Sequence, residues 1–135
     1  MSKFYSGVVV ERDLITKAVE YYTLVGEKNV NEIAKRLHPN VEFYGPMARL
    51  NGREAVLEAT KNFMNAVTSL NIQAKFGAGN QTMIVYTVDM PGVAKDFPGA
   101  SLMTFHDGQI VRIQLFYDAS VMLKKRDEIF SNYRI

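Results

Sequence analysis

The chain has 135 residues, 47% of them hydrophobic, with 16 basic against 14 acidic side chains and a formal net charge of +2. That length suits a single domain over residues 1–135, and a chain of this mass buries roughly two thirds of its unfolded surface, enough for a core without covalent staples. The lack of cysteine excludes a disulfide scaffold and any thiolate metal or redox site.

The charge balance is too even to suggest nucleic acid. Near the start, Val8-Val9-Val10 is too short for a membrane span or a signal-peptide core, so a cytoplasmic protein without membrane contact is expected. From Arg12 to Val25 the apolar residues Leu14, Ala18, Tyr21, Tyr22 and Val25 recur at helical spacing, and Gly26 is expected to end the helix. Asn29 and Glu32 stand at capping-box spacing and open a short helix with Val30, Ile33, Ala34 and Leu37 inward, stopped by Pro39. Val41 to Tyr44 reads as a short strand closed by Gly45-Pro46. Asn51 and Glu54 repeat the capping spacing ahead of a third helix, whose stripe is Val56, Ala59, Phe63 and Val67.

After Ser69 the period changes to two. Asn71–Phe76 and Thr82–Met90 read as strands joined around Gly77-Ala78-Gly79-Asn80. That turn lacks the lysine of a phosphate loop and opens no helix. Ser101–Phe105 and Gln109–Tyr117 flank His106-Asp107-Gly108, a hairpin turn signal. The tail from Ala119 to Tyr133, with Val121, Met122, Ile129 and Phe130, reads as a terminal helix. Its Lys124-Lys125-Arg126 run beside Asp127-Glu128 reads as a solvated face. Helices segregated from a mostly antiparallel sheet define an α+β fold. Three helices covering one face of a strongly curved sheet make a cone, with a natural cavity between the layers.

Three segments carry a family resemblance: Leu37-His38-Pro39-Asn40-Val41-Glu42-Phe43, then Asn51-Gly52-Arg53-Glu54-Ala55-Val56, and Phe105-His106-Asp107-Gly108-Gln109-Ile110 running on to Phe116-Tyr117-Asp118. In this order the chain resembles the NTF2-like superfamily, above all its SnoaL-like and ketosteroid-isomerase-like branches, from about Asp13 to Asp118. The resemblance implies a cystatin-like roll: a cone-shaped, curved, mostly antiparallel sheet packed against three helices, often paired sheet to sheet as a homodimer. It implies either enzymes acting on apolar small molecules or non-catalytic domains.

Ketosteroid isomerases take a proton with a carboxylate and hold the enolate with a Tyr and a protonated acid, donors aimed at the developing oxyanion. By the resemblance, Phe43 stands where the base belongs and Ser101 where the second acid belongs, while Tyr21 matches the Tyr donor. An isomerase of that mechanism is therefore not expected. In SnoaL-like cyclases an acid near the end of the last strand acts as general acid/base, and Asp118 holds a similar place. Its other reading is a cap on the following turn of helix, and alternation with Ile113, Leu115 and Tyr117 points it away from the cavity.

The inward set on this fold is Tyr21, Tyr22, Phe43, Phe63, Tyr86, Val88, Ser101, Met103, Ile113, Leu115 and Tyr117, an apolar wall with several hydroxyls. Asp89 is expected to face outward. His38 and His106 fall in separate connections, so no metal site is expected, and no cofactor. Glu42 and Arg53 read as a surface pair of little worth. Two functions stay open. One is binding of a small, mostly apolar molecule, with acid/base isomerisation or cyclisation through Tyr21 and Asp118. The other is a non-catalytic homodimeric domain whose bulky Phe and Met side chains fill the cone. Thr87, Arg112, Gln114 and Phe116 belong to the sheet face a second copy would cover.

Overall fold

The computed structural model describes the backbone of residues 2–122 and the side chains of residues 13–121. In chain order the elements are α1 (Ser2–Glu27), α2 (Val30–Arg36), β1 (Leu37–Tyr44), β2 (Arg49–Asn51), α3 (Arg53–Ala66), β3 (Ser69–Ala78), β4 (Gln81–Met90), β5 (Ala94–His106), β6 (Gln109–Phe116) and α4 (Ala119–Met122). The six strands form one curved, unclosed sheet in the order β2-β1-β6-β5-β4-β3. Only the β1–β6 pairing is parallel, so the sheet is mixed and the fold α+β.

Alternation sets which face is buried. Along β4, Thr82, Ile84, Tyr86, Val88 and Met90 are buried, and the residues between them are less so. Each fully buried aliphatic side chain of this kind contributes about 1.5–3 kcal/mol. The inner face carries the helices. α1 packs over β3 and β4, while α3 packs over β1 and β2, so the two helices cover the flanks of the sheet and barely touch each other. The middle strands are left with open space above one end.

Several boundaries differ from the sequence reading. α1 begins at Ser2 rather than Arg12, because extending a packed helix costs little per residue once it is nucleated. It does not end at Gly26. Lys28 takes the left-handed conformation (φ 60), with Lys28 N–H bonded to Val25 O at 3.1 Å and Asn29 N–H to Leu24 O at 3.0 Å, the paired bonds of a Schellman motif. Asn29 does cap α2, its Oδ1 accepting from Glu32 N–H at 3.3 Å. The reciprocal half of the box is absent: the Glu32 carboxylate turns forward to Lys35 (2.8 Å) and Arg36 (3.3 Å). α3 starts behind Gly52 (φ 94) with no side-chain cap. Phe63 is half-buried on its stripe, and Met64 takes the fully buried place.

Two prolines, Pro39 (read as a stop) and Pro98, lie inside strands. β1 starts at Leu37, not Val41, and carries His38 with it; Pro39 falls in the register irregularity between Leu37 and Glu42, where no ladder bond is asked of it. β5 starts at Ala94, not Ser101. Pro98 pairs with Thr87 of β4 in a stretch that precedes the first β6 pairing at Ala100, so one side of the strand is an edge there. β2 was not foreseen; three residues are too few to show a period. The β5–β6 hairpin turns on Asp107 (φ 50) and Gly108 (φ 79), as that dipeptide predicts. Beyond Met122 the expected tail helix, with Ile129 and Phe130, lies outside the described residues.

Candidate functional site

A half-open cavity occupies the gap between α1, α3 and the sheet. α1 presents Tyr21, Tyr22 and Val25, one helical turn of its inner face, and α3 presents Ala59, Thr60 and Phe63 in the same way. The sheet supplies Phe43 from β1, Tyr86, Val88 and Met90 from β4, Phe97 and Gly99 from β5, Ile113 and Leu115 from β6, and Tyr117 just beyond. The space measures ≈ 70 Å³ for the centres of water-sized spheres, several times the roughly 10–15 Å³ one water needs on that measure. The cone is not packed solid, and no side chain of this lining carries a charge.

The polar atoms are hydroxyls. Tyr21 and Tyr22 meet edge to face at 5.1 Å, and Tyr22 stacks on Tyr86 at 5.4 Å. Phe97 meets Tyr117 edge to face at 6.2 Å nearer the mouth. Burial pushes the Tyr21 phenol up to about 12, with the Thr60 hydroxyl beside it working the other way. Thr60 is itself tied to Val56 O at 2.8 Å. Burial also raises Tyr22, assisted by the nearby Tyr86 and Tyr21 phenols and opposed by Ser101. Tyr86 rises through burial and then through Tyr117 and Tyr21; Tyr117 is pushed by burial to about 12. All four remain protonated, neutral donors at physiological pH.

Nine of the sequence-predicted lining residues meet here: Tyr21, Tyr22, Phe43, Phe63, Tyr86, Val88, Ile113, Leu115 and Tyr117. Ser101 and Met103 do not. Both face inward and are fully buried, but they pair with Ile84 and Thr82, toward the opposite end of the strands, where the layers close over them. Ser101 Oγ faces the Tyr22 phenol yet makes no hydrogen bond of full geometry.

Asp118 lies outside the cavity. It is exposed, and its Oδ1 accepts from Ser120 N–H at 3.0 Å and Ser120 Oγ at 2.7 Å, tying down the first turn of α4. The structure therefore brings Tyr21 to the cavity and not Asp118; strand alternation, with Tyr117 turned in, sends the next side chain out. Asp89 also faces away, where Asp96 N–H (2.8 Å) and Ser69 Oγ (3.1 Å) hold its carboxyl below the usual range. His38 Nδ1 accepts from Asn40 N–H at 3.0 Å, and His106 is exposed beside Asp107. Among the described residues Glu42 and Arg53 form no ion pair, and no three His, Asp or Glu converge as a metal site needs. The sequence reading missed Val25, Ala59, Thr60, Met90, Phe97 and Gly99 as lining. Val25 and Ala59 were on the predicted stripes, and Met90 continues the inward alternation of β4. Phe97 and Gly99 lie on the odd-numbered face of β5, in the stretch ahead of Ser101 that the sequence reading leaves out of the strand.

A curved mixed sheet with helices on one face and a hydroxyl-studded apolar cavity defines an NTF2-like α+β protein. Residues 18–113 match the SnoaL-like domain, and the chain belongs to that family. Among solved structures, a de novo designed protein with a curved β-sheet superposes with a TM-score of 0.79 at 19% identity, over 89% of this chain and 96% of that one. A steroid delta-isomerase from Pseudomonas aeruginosa gives a TM-score of 0.74 at 17% identity, over 90% of each chain. An NTF2-like protein of unknown function from Cytophaga hutchinsonii gives 0.66 at 24% identity, over 77% of this chain and 88% of that one. At such identities the likeness is one of fold, and a fold shared by a designed protein and an isomerase leaves chemistry to the site. No curated protein matches the sequence.

Proposed function

We propose that this SnoaL-like domain binds a small, mostly apolar molecule in the cavity between α1, α3 and the sheet. The observation that carries the reading is the lining: fifteen residues, none of them charged, around a half-open space rich in aromatic rings. Such a wall favours apolar surface and penalises an ion, whose charge would be desolvated without a partner. Isomerisation or cyclisation of a carbonyl compound needs a base within reach of the reacting proton. The described lining offers phenols alone for that, and Asp118 is engaged with Ser120 outside. Binding is therefore the better supported half of the proposal.

The test is an NMR titration of the purified protein with neutral single-ring compounds. Resonances of Val88, Leu115 and Ile113 are expected to shift, and Asp118→Asn is expected to leave the affinities unchanged. If no such compound moves those resonances, the binding reading fails. If Asp118→Asn weakens binding severalfold, the carboxylate belongs to the site after all.

A second copy of the chain is the partner we propose for the outer sheet face. Two rows of side chains cross it, Phe76–Met83–Leu102–Gln114–Tyr44 and Ala74–Val85–Ala100–Phe116, set by the strand registers. Phe76 is 60% and Phe116 45% exposed, the large hydrophobic residues most open to solvent among those described. Arg112 stands over the Tyr44 ring at 4.4 Å at one border of this face. The outer face of one curved sheet, with these apolar side chains among polar ones, can meet its own copy about a twofold axis.

A further inference from the structure

Among the described lining residues Gly99 alone has no side chain, so at that point the cavity wall is bare backbone. Its φ lies outside the left-handed region in which Gly52, Gly79, Gly92 and Gly108 are found, and the β4–β5 register runs past it without a shift. Neither a turn nor a bulge therefore calls for glycine here, and a glycine inside a strand weakens it.

What the missing side chain makes room for is a ring. Gly99 is the direct strand partner of Tyr86, and a Cβ on it would stand 2.9 Å from both Cζ and the hydroxyl oxygen of Tyr86 and 3.0 Å from Cε1. Non-bonded carbons settle at about 3.5–4.0 Å, so a side chain at position 99 would push the tip of the ring away by at least about 0.6 Å. Tyr22 stacks on the same ring at 5.4 Å, and both rings border the cavity. A displaced tip therefore moves into the cavity. The cavity is small enough for that to matter: ≈ 70 Å³ for the centres of water-sized spheres holds roughly five waters, about the room of one six-membered ring.

We infer that Gly99 is the specificity-determining residue that sets the size of molecule the cavity admits, by letting the Tyr86 ring lie down against β5. With glycine the site takes an apolar molecule built on one six-membered ring. With any side chain at position 99 the raised ring leaves room only for something smaller. This rests on the binding reading above and adds to it a size limit and the pair of residues that fixes it.

The test uses two apolar probes of unequal size, xenon and ethylbenzene, titrated by NMR into the wild type, Gly99→Ala, Tyr86→Leu and the double variant. Gly99→Ala should weaken ethylbenzene about tenfold, the low end of what one methylene is worth in a hydrophobic pocket, and change xenon less than twofold. In the Tyr86→Leu background, with no ring tip to raise, Gly99→Ala should weaken neither probe. An undiminished ethylbenzene affinity in Gly99→Ala, an equal loss for both probes, or the same loss in the Tyr86→Leu background would overturn the inference while leaving the binding reading intact. If the wild type takes up neither probe, the inference and the binding reading fall together. Should Gly99→Ala fail to fold, Tyr86→Leu decides, since it withdraws the tip instead of raising it. A severalfold rise in naphthalene affinity relative to ethylbenzene supports the size limit, and an unchanged ratio removes it.

Discussion

Tyr21 is 3% exposed and its phenol is pushed up to about 12 because a phenolate there would lose its hydration. In the unfolded chain the same group titrates near 10. Below pH 10 both states hold the proton and the protein keeps its full stability. Between pH 10 and 12 the unfolded chain gives the proton up while the folded chain retains it, so stability falls as pH rises. A two-unit shift corresponds to on the order of 3 kcal/mol by the top of that window. Tyr22, Tyr86 and Tyr117 shift in the same direction. Urea midpoints should be flat from pH 7 to 9.5 and then decline, with a shallower decline in Tyr21→Phe; a midpoint unchanged at pH 12 would contradict the burial described. At this scale the sequence shows which face a residue belongs to and little more. The helical stripe places Tyr21 and Tyr22 inward, and alternation correctly sets Asp118 opposite Tyr117. Whether an inward residue meets open space or packed atoms, as separates Tyr86 from Ser101 on neighbouring strands, depends on where helices from elsewhere in the chain come to rest.

Among the elements, α1 shows how a local signal can be displaced by its surroundings. Gly26 suggests the helix stop, yet the left-handed residue is Lys28, two positions on, held by the paired bonds to Val25 O and Leu24 O. Lysine in that conformation bears a steric cost that glycine does not. Lys28→Gly is accordingly expected to raise stability by roughly 1 kcal/mol, a gain of about 3–5 °C in the melting temperature for a domain of this size. A lower melting temperature would show that the lysine is held there by contacts the backbone geometry does not reveal. Pro39 and Pro98 teach the converse lesson. Each is a stop signal by itself, and each sits in a strand where the missing N–H faces an irregularity or an edge. Neighbouring strands decide that, and a window of a few residues does not contain them.

For the whole molecule, the order of the helices and of every strand but β2 was legible, as were the α+β class and the cavity between layers. The pairing of β1 beside β6 was not, because periodicity reports faces and is silent on neighbours. Curvature leaves the sheet with two unlike surfaces: an inner one divided among helices and cavity, and an outer one crossed by Phe76, Met83, Leu102 and Phe116. If a second copy covers the outer one, sedimentation at micromolar concentration will give twice 15.3 kDa, and Phe116→Glu will halve that mass by placing a charge in the contact. A wild-type mass of 15.3 kDa at tens of micromolar would rule the pairing out.

The crowding of phenols around one cavity also gives the protein an optical signature. The chain has seven tyrosines and no tryptophan, and four of the seven line the cavity. Its near-ultraviolet emission is tyrosine emission, drawn in large part from rings that an occupant would touch. A guest that absorbs near 300 nm should quench that emission, and an aromatic one should alter the circular dichroism of the stacked Tyr22–Tyr86 pair, so that loading of the site can be followed in the unmodified chain by its own light.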